Sequence, residues 1–143
     1  MKRAGSIRRR VQAAIALIER DGAYLICRRL DEDVLGGYWE FPGGKRRVGE
    51  SWPACLRREL REELGIAVRA LRLCEEVRHR DPARSLLLKV YACRIARGNP
   101  KPIAAQALRW VSAARLDRYR FPPANRALLD RIVRGHYRNG RPV

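Results

Sequence analysis

Residues Gly44–Ile66 read GKRRVGESWPACLRRELREELGI, and the acidic residues in this stretch decide the fold. Five residues separate Gly44 from Glu50. Seven more separate Glu50 from Arg58-Glu59-Leu60, which is followed by Glu62-Glu63 and then Gly65-Ile66. Glu59, Glu62 and Glu63 therefore stand at i, i+3 and i+4. Like charges spaced four apart on an exposed helix cost about 0.2–0.5 kcal/mol per pair. A cation removes that penalty, and hard divalent ions such as Mg²⁺ prefer carboxylate and carbonyl oxygens while leaving room for phosphates.

The same stretch predicts its own helix. Ser51 is a suitable N-cap, and Pro53 fits the first turn, where backbone N–H groups lack partners. Gly65 suits the left-handed position just past the C-terminus. Leu56, Leu60 and Leu64 form an apolar stripe, with the three glutamates on a neighbouring face roughly a third of a turn away. Arg58 and Glu62 are i,i+4 partners. Taken as bare spacing, EExxE also describes an ordinary solvated helix; the fixed register of both glycines, Glu50, the Arg-Glu pair and Gly65-Ile66 argues for a ligand site.

The segment resembles the Nudix box, the signature of Nudix hydrolases, with every fixed position filled. The resemblance implies a mixed-sheet α/β (α+β) fold, an α/β/α sandwich, and hydrolysis of a nucleoside diphosphate linked to another group with Mg²⁺ as cofactor (Mn²⁺ as an alternative). It implies that Glu59, Glu62, Glu63 and the Gly43 carbonyl hold the metal, and that Arg58, Glu59 and Glu62 serve catalysis, Arg58 by orienting a carboxylate. Glu50 becomes a supporting carboxylate. The run from Tyr38 to Lys45 (YWEFPGGK), the Cys27-Arg28-Arg29 triplet and the run from Phe121 to Asn125 (FPPAN) are similar to MutT-like enzymes, which remove 8-oxo-dGTP from the nucleotide pool. On that resemblance Arg29, Phe41, Lys45 and Asn125 bind substrate. The likeness extends from about Val11 to about Ile132.

An asparagine suits an oxidised guanine. Guanine presents two acceptors, O6 and N7, on one edge. Oxidation at C8 turns N7 into a donor, and a carboxamide offers the complementary donor and acceptor side by side. Normal guanine would leave one polar group unpaired, at about 1–3 kcal/mol in a buried site. Read alone, Asn125 is better explained as a cap after a Pro-Pro turn; the flanking match to the MutT-like pattern turns the reading toward the base. One departure from the MutT-like pattern falls near Ala104, where a further Glu is often found and none stands here. That leaves open whether Glu59 or the metal itself activates water.

Around the motif, 143 residues suit one domain. Residues 11–135 are expected to form it, with 1–10 a basic mobile head and 136–143 a short tail. Strands are expected over Val11–Ile18, Ala23–Arg28, Ile66–Val77, Ser85–Ile95 and Leu108–Val111, with Asp21-Gly22 as a hairpin turn and a second helix over Ala124–Val133. Asp31–Gly37 is a polar loop that could border the nucleotide. The head lacks the apolar core of a secretory signal, and no stretch is long enough to span a membrane, so a cytoplasmic protein is expected. The net charge of +17 and pI near 11.2 favour anionic partners. A nucleoside triphosphate is the expected one and nucleic acid is not, since arginine-rich coding bias explains the charge equally well. Cys27, Cys55, Cys74 and Cys93 form no CxxC pair, which points to buried thiols rather than zinc or disulfides. His79 and His136 have no ligand pattern, and Trp39 and Trp110 read as core or pocket wall. The sequence does not specify oligomeric state.

Overall fold

The computed structural model describes residues 9–135 and the short strands Tyr137–Arg138 and Arg141–Pro142. Most of the basic head (1–8) and His136 lie outside the described residues. In chain order the elements are β1 (Arg9–Arg20), β2 (Ala23–Arg28), β3 (Trp39–Glu40), β4 (Gly43–Lys45), α1 (Trp52–Leu64), β5 (Ala67–Arg80), β6 (Arg84–Arg97) and β7 (Ala107–Ser112). They continue with 3₁₀ segments at Ala113–Arg118 and Pro123–Asn125, then α2 (Arg126–Val133), β8 (Tyr137–Arg138) and β9 (Arg141–Pro142).

β1 organises the molecule because both its faces are covered. Ala14, Ala16 and Ile18 pack with Leu56, Leu60 and Leu64 of α1. Val11, Ala13, Ile15 and Leu17 pack with Leu128, Leu129 and Ile132 of α2 on the other side. A strand buried on both faces reads as a continuous apolar run, which is how residues 11–18 appear. The main sheet runs β3-β2-β1-β6-β5, with β4 also on β1 and β7 on β2. β1 and β6 are parallel, from Arg9 opposite Arg84 to Ile18 opposite Cys93, and the other pairings are antiparallel. The result is the expected α/β/α sandwich around a mixed sheet.

Several boundaries differ from expectation. Arg9 and Arg10, assigned to the head, extend β1 by pairing with Arg84 and Ser85. Within the short tail, Tyr137–Arg138 and Arg141–Pro142 pair antiparallel as β8 and β9. The second helix is α-helical only from Arg126. Its first turn, Pro123–Asn125, is 3₁₀, with the Asn125 N–H donating to Pro122 O at 3.0 Å. β3 and β4, of two and three residues, are too short to leave a periodic signal. Asp21 (φ 52°) and Gly22 (φ 79°) both adopt positive φ, the requirement of a type I′ hairpin turn.

Helix α1 starts and stops as its sequence dictates. Ser51 Oγ accepts from Ala54 N–H at 3.2 Å. Gly65 is left-handed at φ 69°, and its N–H donates to Arg61 O at 3.0 Å, the five-to-one bond of an αL stop. Leu56, Leu60 and Leu64 are fully buried.

Candidate functional site

The site forms where α1 lies across β4, and successive residues of the helix address successive residues of the strand. Arg58 Nη2 donates to Lys45 O at 3.0 Å. The Glu59 carboxylate rests on Gly44, where an added Cβ would overlap it. Glu63 Oε2 accepts from Gly43 N–H at 3.4 Å. Gly43 holds φ 147°, and a Cβ there would collide with the Ala14 carbonyl of β1. Each glycine is thus required for a separate reason: Gly43 for the close approach of β4 to β1, Gly44 for the seat of Glu59. Opposite Ile15 and Ala13, respectively, Gly43 and Lys45 occupy alternate rungs of the β1–β4 ladder. Residues on such rungs turn their backbone groups away from the neighbouring strand, here toward α1.

Arg58 is the electrostatic hub. It is 9% exposed, and its guanidinium forks onto Glu50, with Nε to Oε2 at 2.6 Å and Nη2 to Oε1 at 2.9 Å. Nη1 reaches Glu59 Oε1 at 2.8 Å and Glu62 Oε2 at 3.2 Å. A planar fork matched to carboxylates is the geometry arginine supplies and lysine cannot. The hydrogen bond from Arg58 holds the Glu50 carboxyl down to about 2, against desolvation. Glu50 also accepts from the Arg47 N–H at 3.1 Å, so both its oxygens are engaged and it supports the site from behind. The i,i+4 partner Glu62 is the weakest of the Arg58 contacts. Its half-exposed carboxylate is shared with Arg47 at 3.8 Å.

Glu63 sits differently. Burial first, then the nearby charges of Glu40 and Glu59, push its carboxyl well above the usual range. Glu40 is itself raised by burial, an effect opposed by Arg29. The Arg29 Nη1–Glu40 Oε2 distance is 2.9 Å, and Arg29 Nε donates to Val34 O at 2.7 Å. Glu40 was quoted in the YWEFPGGK run without a role. The signal that could have found it is a carboxylate between two aromatics on an otherwise apolar strand. Among the described residues no three metal-ligating side chains converge closely enough to close a site as they stand. The donor chemistry nonetheless fits a hard divalent cation: oxygen ligands only, on one helix face, with Glu63 raised by burial and by the charges of Glu40 and Glu59.

The expected substrate residues divide. Lys45 is exposed. Arg29 is held by Glu40 and Val34 O rather than standing free. Phe41 is 2% exposed and packs against Phe121, ring centres 5.3 Å apart. It lies in the core, because the extended chain just past Glu40 turns the next side chain inward. Asn125 is 8% exposed. It occupies the N-cap position of α2, yet its side chain makes no capping bond, which removes the cap reading. The Asp31–Gly37 loop is drawn over the sheet by Arg28 Nε to Gly37 O at 3.1 Å, and by Gln106 Nε2 to Arg29 O at 2.7 Å and Asp31 Oδ1 at 2.8 Å. Gln106 lies in the segment that carries no Glu, and its tie to this loop was not foreseen. Beside the loop a cleft of about 400 Å³ is lined by Arg28, Asp31, Tyr38, Trp39, Tyr119 and Arg120, among others. That volume falls in the range of small-ligand sites, about 300–1,000 Å³. Trp39 walls it, edge-on to Tyr119 at 5.1 Å. Trp110, by contrast, is 36% exposed under Arg20 and is not core.

Known proteins resemble this chain in sequence and fold. Residues 13–131 match the model of the NUDIX domain. The 8-oxo-dGTP diphosphatase of Haemophilus influenzae is 32% identical over 124 residues, covering 86% of this chain and 91% of the relative. The CTP pyrophosphohydrolase of Escherichia coli is 33% identical, covering 86% and 91%. The crystal structure of a MutT NUDIX hydrolase from Burkholderia pseudomallei superposes with a TM-score of 0.77 at 30% identity, covering 86% of this chain and 98% of that one. With its box glutamates gathered on β4, this chain belongs to the NUDIX family and is a hydrolase of that family.

Proposed function

We propose that the protein hydrolyses nucleoside triphosphates to the monophosphate and pyrophosphate, with 8-oxo-dGTP as its preferred substrate, in the nucleotide pool of the cytoplasm. The observation that carries the base preference is Asn125, a residue 8% exposed whose carboxamide caps no helix, makes no hydrogen bond among the described residues and is not sealed from solvent. A ligand that covers this carboxamide and leaves one of its groups unpaired loses about 1–3 kcal/mol. A ligand edge offering one acceptor and one donor, as 8-oxoguanine does, would satisfy it. The relative named as an 8-oxo-dGTP diphosphatase supports the same choice.

Glu59, Glu62 and Glu63, with the Gly43 carbonyl, would hold Mg²⁺ or Mn²⁺. When bound, such an ion supplies positive charge to the phosphate oxygens and acidifies water. Arg58 fixes the Glu59 carboxylate through Nη1 while Glu50 fixes Arg58, so the acid most closely seated on Gly44 is oriented before substrate arrives. Glu59 accepts the proton of the attacking water. Lys45, exposed at the end of β4, neutralises developing charge on the phosphate oxygens. Arg29 acts through its pairing with Glu40 and through the loop it closes, and Phe41 is the floor that backs the site.

A second reading, the same chemistry on CTP, is favoured by the equally similar CTP pyrophosphohydrolase. Pyrophosphate release from 8-oxo-dGTP, dGTP, CTP and dCTP, with and without Mg²⁺, separates the two. The proposal expects 8-oxo-dGTP to exceed dGTP by roughly tenfold or more in kcat/KM, the worth of one mispaired buried group. It also expects Asn125→Ala to remove that preference while Glu59→Gln abolishes turnover on every substrate. A wild-type protein that favours CTP would overturn the base assignment.

A further inference from the structure

We propose that the surface where α1 ends against the β5–β6 ladder binds the phosphodiester backbone of single-stranded nucleic acid, independently of the hydrolytic site. A cleft of about 430 Å³ opens here between Arg57, Arg61 and Arg97, over a floor that includes Ile66 and Val68, with no acidic residue in its lining. A second cleft, of about 490 Å³, continues along the same two strands and adds Arg69, Arg94 and Arg20, with Glu19 and Asp21 at its far rim. Both clefts lie along one ladder, in which Ala67 pairs with Arg97 and Arg69 with Arg94.

Three observations set this surface apart from the general positive charge. The first is pairing. Six arginines elsewhere are matched to acids, in Arg29–Glu40, Arg47–Glu62, Arg58–Glu50, Arg78–Glu76, Arg84–Asp81 and Arg131–Glu75, while others, such as Arg80, Arg115 and Arg134, make no ion pair among the described residues but share no cleft with one another. Among the described residues Arg57, Arg61, Arg69, Arg94 and Arg97 make no ion pair. The second is placement. Arg69 stands directly opposite Arg94, where like charges destabilise a sheet. The next residue, Ala70, takes φ 56° in a bulge that breaks the register between Arg69 and Arg72. Bulges re-aim side chains, and strained backbone gathers at functional sites. The third is the aromatic at its edge: Arg20 lines the second cleft and also stacks 4.6 Å from the centre of the exposed Trp110 ring. An arginine track beside an exposed indole combines phosphate attraction with a base-stacking platform, the two elements of sequence-independent single-strand binding.

The surface is not an extension of the nucleotide site. At about 100° per residue, Arg57 and Arg61 flank the Leu56–Leu60–Leu64 stripe on the side away from Glu59 and Glu63. Guanidinium forks suit phosphate oxygens better than ammonium groups do.

The test uses the full chain and fluorescein-labelled oligo-dT and oligo-U of about twenty nucleotides, followed by anisotropy across a salt series. Binding is expected to persist when the nucleotide site is saturated with a non-hydrolysable triphosphate analogue. R57E/R61E/R97E is expected to weaken it at least tenfold and to flatten the log K against log salt slope by about 2, at about 0.7 per lost phosphate contact on a single strand. That variant should keep its melting temperature and, at 0.15 M ionic strength, its mononucleotide turnover. Trp110→Ala should weaken binding with the slope unchanged. The dT and U arms show whether DNA and RNA are both accepted. A control of equal charge change on other exposed arginines, R80E/R115E/R134E, is expected to bind as the wild type does. Equal loss in the control, displacement by the triphosphate analogue, or binding only to vesicles containing phosphatidylglycerol and to neither oligonucleotide would each overturn the proposal.

Discussion

Glu63, proposed above as a metal ligand, is held in the folded chain at a cost that depends on pH. Its carboxyl is raised by burial and by the charges of Glu40 and Glu59. In the unfolded chain it titrates near 4.5. Between that pH and its higher folded value the unfolded state releases a proton that the folded state retains, so stability falls as pH rises through this window. Glu63→Gln removes the effect. In EDTA, the variant should melt with the wild type near pH 4 and at a progressively higher temperature above pH 5, while losing hydrolytic activity. A variant that melts lower at pH 7 without metal would mean that the Glu63–Gly43 contact outweighs the burial cost. Glu50 behaves oppositely, because Arg58 holds its carboxyl low at about 2. Its support is present above about 4.5 and lost as pH falls toward 2. The sequence foretold that these acids would cluster. It did not foretell which would be buried, since Glu40, Glu59 and Glu63 acquire their environment from β3 and β4, strands too short to register as a pattern.

Among the elements, α1 was the most legible because its signals are local: a serine cap, a leucine every fourth position, a glycine at the stop. Each has a measurable consequence. Ser51→Ala removes the one side-chain cap on Ala54 N–H and should cost about 1 kcal/mol in urea unfolding. Leu60→Ala empties a fully buried site between helix and sheet and should cost about 2–5 kcal/mol. If Ser51→Ala also lowers kcat several-fold with KM unchanged, the cap is positioning Arg58 and Glu59 as well as stabilising the helix. The start of the second helix was less legible because tertiary context overrides propensity there. Asn125 follows two prolines and sits at the cap position, as a cap should, yet its side chain makes no cap bond. The loop formed by residues 31–37 was readable as polar, but its closure depends on Gln106, more than seventy residues away. Spacing along one segment carries no information about such a partner.

For the molecule as a whole, the net charge of +17 sets how an anionic substrate arrives. A surface potential of one sign raises the rate at which opposite charges meet, and salt reduces it. The Debye length shrinks from about 30 Å at 0.01 M ionic strength to about 8 Å at 0.15 M. At the lower value arginines across much of this small protein attract a triphosphate. At the higher one only those bordering the site do. Once substrate is bound, its phosphates are held by short contacts that salt screens far less. The expected outcome is a kcat/KM that falls steeply over this range at fixed free Mg²⁺, with kcat nearly constant. The arginine surface at the end of α1 supplies an internal comparison. R57E/R61E/R97E lowers the long-range field without touching a residue near Glu59, so it should reduce kcat/KM at 0.01 M and leave it unchanged at 0.15 M. A reduction that persisted at the higher ionic strength would place those arginines in direct contact with the mononucleotide, and would merge into one the two anion sites that the helix geometry separates.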